Sequence, residues 1–171
     1  MSLAQVQWRT KARARSPWGH RVICGQITMA RPCSRPSSIP KSRPRGSKAS
    51  GLRYERAFAK ALPGVAHGPW YEFIDDCGHG FCQPDFVWQL DKEIVVFETK
   101  LTDTPAGRAQ TIDLYAPVLR AAHSLPISGI IVCKNLTKKT DLSSITTSLE
   151  TALALSHKSI PILHWLGKGS L

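Results

Sequence analysis

The sequence predicts an α/β domain, a mixed central sheet flanked by helices, and three observations carry that prediction. The apolar patterning runs helix, three strands, helix, strand, helix, strand. Residues 94–97, Ile-Val-Val-Phe, are apolar on both faces, as in a central strand covered on both sides. Thr104-Pro105 opens a crossover helix that leads into another apolar run, so the strand after it lies parallel to an earlier one.

Each element has its own signal. Over residues 52–62 the stripe Leu52, Phe58, Ala59, Leu62 marks a helix, which Pro63-Gly64 ends. Glu55 falls inside that stripe, where a carboxylate needs compensation unless it reaches water at the stripe's edge. Strand-like runs follow at residues 70–74, 81–90 and 93–100, with turn chemistry at 75–80 between the first two. Their short links predict antiparallel pairing. In the crossover helix Thr104 is the N-cap and Pro105 the first helical residue. Ile112, Tyr115, Leu119 and Ala122 form its apolar face, and Pro117 kinks or splits it. Residues 127–133 read as a buried strand. Residues 142–155 read as a helix with Leu142, Ile145, Leu149, Ala152 and Leu153 inward, and 160–165 as a last strand.

The net charge of +11 is unevenly placed. Residues 1–50 contain Arg9, Lys11, Arg13, Arg15 and further arginines and lysines up to Lys48, but no acid, whereas the rest of the chain is neutral. Residues 1–49 are rich in Pro, Ser and Arg without a sustained period. Such a composition predicts a disordered basic tail ahead of a domain over 50–171. A basic tail binds polyanions by releasing condensed counterions. The same composition fits an organelle transit peptide, and Met29 fits an alternative start. No apolar window is long enough to span a membrane. Five cysteines in no framework spacing fit a reducing, cytoplasmic compartment rather than a secreted disulfide scaffold.

The hairpin between the second and third runs places chemistry. If Asp91-Lys92 is a two-residue turn, Leu90 pairs with Glu93, and Asp85 then lies opposite Glu98. Lys100, two residues on, shares their face. Opposed carboxylates on a buried face repel each other unless a hard cation such as Mg²⁺ joins them. Lys100 beside them suits a group that orients or deprotonates a water. The bland alternative is a structural Asp/Glu/Lys cluster.

Gln83-Pro84-Asp85 followed by Glu98-Thr99-Lys100, behind a helix that bears Glu55, resembles the signature of the PD-(D/E)xK nuclease superfamily. That superfamily includes restriction endonucleases, Holliday-junction resolvases and RecB-like exonucleases. The resemblance covers roughly residues 51–135 and implies a restriction-endonuclease-like αβββαβ core. It implies Mg²⁺, with Mn²⁺ as substitute, held by Asp85, Glu98, the backbone carbonyl of Thr99 and Glu55, and Lys100 as the catalytic lysine. Gln110 resembles a glutamine that RecB-like members place near metal and DNA. Their partner tyrosine comes four residues later, whereas Tyr115 comes five later. Arg53, Arg56 and Lys134 are candidate phosphate contacts, and small members often work as homodimers.

The implied function is metal-dependent cleavage of DNA, endo- or exonucleolytic, in repair, recombination or phage DNA processing, with substrate geometry open. Two rivals are a non-catalytic nucleic-acid-binding protein and a packaging protein, both using the basic tail. Cys77, His79 and Cys82, with His67 as a distant fourth, lack the paired spacing of structural zinc sites. Trp70, Trp88 and Trp165 read as core.

Overall fold

The computed structural model describes residues 15–40, 44–168 and 171. The first strand, β1 (Met29–Cys33), precedes the first helix, α1 (Ser47–Ala61). The helix starts ahead of residue 52 because nothing in residues 47–51 breaks it; Gly46, with φ of 58°, makes the turn into it. Tyr54 and Phe58 are its buried residues, and the Leu62 N–H bonds to the Phe58 carbonyl to close the last turn.

Next comes a long hairpin that belongs to two sheets. Its outward arm is β2 (Ala66–His67) and β3 (Trp70–Asp75); its return arm is β4 (Gly78–Cys82) and β5 (Phe86–Gln89). Ala66 faces Val87 and Tyr71 faces Cys82, which is one register throughout. Continued across the gap, it sets Pro69 opposite Pro84. Neither has an N–H, so the ladder breaks there and the hairpin bends. The expected unbroken strand over 81–90 is corrected accordingly: Pro84 divides it.

Beyond the bend, β3 and β4 form a three-stranded sheet with β1, in the order β1-β3-β4. On the near side runs a six-stranded sheet, β2-β5-β6-β7-β9-β8. Its remaining strands are β6 (Ile94–Thr102), β7 (Ile127–Asn135), β8 (Ile145–Thr146) and β9 (Ile162–His164). β5 and β6 are antiparallel, and β6 and β7 are parallel, as the crossover predicts. The sheet is mixed and helices cover it, so the α/β class holds.

The crossover is α2 (Pro105–Gln110), a π-turn (Thr111–Tyr115) and α3 (Ala116–His123). Pro117 offers no N–H to the Asp113 carbonyl, which instead accepts from the Ile23 N–H at 3.1 Å. The wide turn rotates the helix face. Leu114, Tyr115, Val118 and Leu119 are buried, whereas Ile112, expected inward, is 57% exposed.

The helix expected over 142–155 is shorter. β-Branched Ile145 and Thr146 pair with β9, and Ser148 starts α4 (Leu149–Ser156) by accepting from the Thr151 N–H. Leu142, left in a preceding 3₁₀ turn, is 78% exposed instead of inward.

Apolar clusters cover the six-stranded sheet. Tyr54, Phe58, Phe86, Phe97, Ile130 and Leu163 make one. Ile94, Val96, Leu114, Val118 and Leu119 make another, which reaches Tyr71 and Phe73 of the three-stranded sheet.

Residues 15–40, part of the segment whose composition predicts a tail, are described with contacts to the rest of the chain; residues 1–14 and 41–43 lie outside the described residues. Arg21 reaches under the three-stranded sheet to the fully buried Asp75 carboxylate at 2.5 Å and also donates to the Gly78 carbonyl. Asp75 accepts the backbone N–H groups of Cys24 and Cys77 as well, and these two cysteines form a disulfide. The cysteine reading foresaw no such pair. An acid 54 residues away from Arg21 supplies what local composition lacks. Among the described residues no helix is long and apolar enough to cross a membrane.

Candidate active site

The bend in the hairpin and the end of β6 create the site. Phe86 faces Phe97, and the Leu90 N–H bonds to the Glu93 carbonyl at 2.9 Å, so Asp91-Lys92 is the turn the sequence predicts. Asp85, one residue ahead of β5, therefore stands opposite Glu98. Its carbonyl accepts from the Gly68 N–H at 2.7 Å, which pins it to the other arm. Its carboxylate oxygen Oδ2 accepts from both the backbone N–H and the hydroxyl of Thr99, each at 2.7 Å. Asp85 is thus held in one orientation from two sides.

Glu98 is buried, and its Oε1 accepts from the Lys100 ammonium at 2.5 Å. Its Oε2 is buried and has no hydrogen-bond partner among the described residues. Burial, with the Asp85 carboxylate beside it, pushes Glu98 up to about 8 despite the Lys100 ammonium. Burial pulls Lys100 down, but Glu98, Asp85 and Glu55 more than offset this, and the net shift is upward. Gly107 of α2 leaves room for the lysine stem: a Cβ there would lie 3.3 Å from Lys100 Cε.

Glu55 arrives from α1 and pairs with His67 Nε2 at 2.6 Å. The His67 ring stacks on Phe86, with centroids 4.7 Å apart and planes 13° from parallel. Burial and Asp85 raise Glu55, and His67 opposes them. Glu55, Asp85, Thr99, Lys100 and Lys48 line one open cleft of about 600 Å³. Lys48 and His67 are the site residues that sequence reasoning missed. Lys48 falls in the segment read as tail, and His67 enters the sequence reading only as a distant fourth zinc candidate, not beside Glu55.

Gln110 donates to the Tyr115 hydroxyl at 2.5 Å, and that hydroxyl donates to the Gln83 carbonyl at 3.2 Å. The π-turn inserts one residue, so a five-residue spacing brings together what an ordinary helix brings together at four. Gln110 thereby ties α2 to the bend just ahead of Pro84-Asp85.

The candidate phosphate contacts divide. Arg56 is exposed on α1, close enough to Glu55 to oppose its upward shift. Arg53 and Lys134 line a separate groove. Cys77 is bonded to Cys24, His79 turns to Glu72 and Cys82 is buried, so these do not gather around His67. Among the described residues no three His, Cys, Asp or Glu side chains form a ready cage for a metal. Glu98 Oε2, buried without a partner among the described residues, and the Asp85 carboxylate are the oxygens that could hold a hard cation, a class that takes one or two carboxylates and keeps its waters.

Compared with protein-family models, with curated proteins and with solved structures, the chain finds no match.

Proposed function

We propose that this protein is a Mg²⁺-dependent nuclease of the PD-(D/E)xK type, with a restriction-endonuclease-like core, that hydrolyses DNA phosphodiester bonds. One observation carries the reading: the hairpin register sets Asp85 against the buried Glu98, with Lys100 on Glu98 and a cleft lined by Asp85, Lys100 and Glu55. Two carboxylates set against each other with one oxygen buried and unpartnered are poor structural chemistry. They suit a site that receives a divalent cation, and Mn²⁺ fits the same donors.

Asp85, Glu98 and, at the cleft wall, Glu55 would hold the metal together with the Thr99 carbonyl. When bound, it supplies charge stabilisation for the pentavalent phosphorus and an acidified water. The protein's own residues do the rest. The Thr99 N–H and hydroxyl fix the Asp85 carboxylate. His67 fixes Glu55. The Lys100 ammonium, anchored on Glu98, holds a water in line with the phosphodiester. The water oxygen bonds to phosphorus, the bond to the 3′-oxygen breaks, and a 5′-phosphate and a 3′-hydroxyl result. Lys48 on the cleft wall supplies a cation to the phosphate backbone.

The test is a panel of plasmid, linear duplex, single strand and four-way junction in Mg²⁺, run with wild type and Asp85→Asn. Wild type is expected to cut at least one substrate and Asp85→Asn none. Binding by both proteins without cutting, indifferent to metal, would support a non-catalytic nucleic-acid-binding protein instead.

A further inference from the structure

A second cavity, of about 320 Å³, adjoins the cleft, and Leu101, the residue after Lys100, lines both. The two cavities flank the first turns of α1. Three cations from separate parts of the chain line the second: Arg53 from α1, Lys134 near the end of β7, and Lys168 beyond β9. Among the described residues no Asp or Glu lines it. Among the described residues, none of the three cations takes part in an ion pair. Among the described residues the Arg53 guanidinium donates to the neutral Ser50 hydroxyl at 2.8 Å, which orients it without neutralising it. The Tyr54 hydroxyl is spent on the Trp165 carbonyl at 2.8 Å.

Three like charges around one groove repel each other unless an anion joins them. A flexible polyanion that meets Lys100 in the cleft has this groove as its continuation. We propose that Arg53, Lys134 and Lys168 form a phosphate-backbone track that holds the nucleic-acid strand beside the bond to be cut, an inference that rests on the nuclease reading. The neutral body of the chain therefore carries its own nucleic-acid contacts, separate from the basic N-terminal segment. Guanidinium and ammonium groups contact phosphates without reading bases, so the track adds affinity and no sequence preference.

Binding is measured on the full chain by fluorescence anisotropy of labelled single-stranded and duplex oligonucleotides in EDTA, across a salt series. Each phosphate contact contributes about 0.7 to the salt slope for single strands and about 0.9 for duplex. The triple variant Arg53→Gln, Lys134→Gln, Lys168→Gln is expected to lose about two to three slope units. The charge-keeping variant Arg53→Lys, Lys134→Arg, Lys168→Arg is expected to retain the slope, which separates charge from misfolding. Equal slopes for wild type and the glutamine triple would overturn the proposal. A second arm titrates inorganic phosphate. If phosphate stabilises wild type but not the triple while the oligonucleotide slopes agree, the groove is a small-anion site and the track is refuted. Cleavage in Mg²⁺ is scored separately, so a wild type that binds through these residues without cutting counts against the nuclease reading and not against the groove.

Discussion

The two sheets are held by different forces. The six-stranded sheet is clamped by apolar side chains, with Phe58, Phe86, Phe97, Ile130 and Leu163 all fully buried against each other. The three-stranded sheet has a glycine-rich edge strand, β4, packs Tyr71 and Phe73 into the second apolar cluster, and adds connections: Arg21 to Asp75, Cys24 to Cys77, and Tyr115 to Gln83. Asp85 stands at the bend between them. The first sheet thus supplies Glu98 and Lys100 and, through Thr99, orients the Asp85 carboxylate; the second meets it at the bend just ahead of Asp85.

That contrast can be broken from either side. Phe58→Ala removes a ring that packs on Phe86, Phe97 and Trp165, and should cost about 3–5 kcal/mol, read as a lower denaturant midpoint for the whole chain. Arg21→Met leaves the buried Asp75 unpaired, with an expected cost of about 3–5 kcal/mol. Its signature should be faster amide exchange in β1 and β3 before β6 and β7 respond. Uniform acceleration across both sheets would show that they unfold as one unit. Cys24→Ser opens a link between residues 53 apart, worth about 2–4 kcal/mol, and the same exchange pattern is expected. Tyr115→Phe removes two hydrogen bonds, about 1–2 kcal/mol, and should lower cleavage more than its stability loss explains, because the bend before Asp85 loosens.

pH sharpens the comparison at the frame itself. An ordinary glutamate titrates near 4.5, whereas Glu98 in the fold is pushed up to about 8. The stability tied to its protonated form is therefore complete below the lower value and is lost as pH rises through the upper one. In metal-free buffer the unfolding free energy of wild type should fall over that window, and Glu98→Gln should remove this part of the decline. A wild-type curve parallel to that of Glu98→Gln would show that Glu98 is already ionised in the fold.

The same division explains what could be read from the sequence. The Asp91-Lys92 turn, the register that opposes Asp85 to Glu98, and the parallel strand after the crossover follow from local spacing, and local spacing governs an apolar sheet. The docking of residues 15–33 does not follow, because Arg21 and Cys24 find their partners more than 50 residues away and composition cannot show which polar groups meet. Gln110 and Tyr115 illustrate the middle case. Both residues were visible, but the π-turn that joins them depends on Pro117 and on Ile23 taking up the freed carbonyl. Pro84 marked a disturbance; that Pro69 stands across from it emerges only from the register of the whole hairpin.

The most direct test of the central claim is the single-turnover cleavage rate of Lys100→Ala in Mg²⁺, on whichever DNA form wild type cuts, with Mn²⁺ binding measured in parallel by calorimetry. The account predicts a fall of at least about 100-fold in rate, as for removal of a positioned acid–base group, with metal binding retained. Cleavage at the wild-type rate would contradict it.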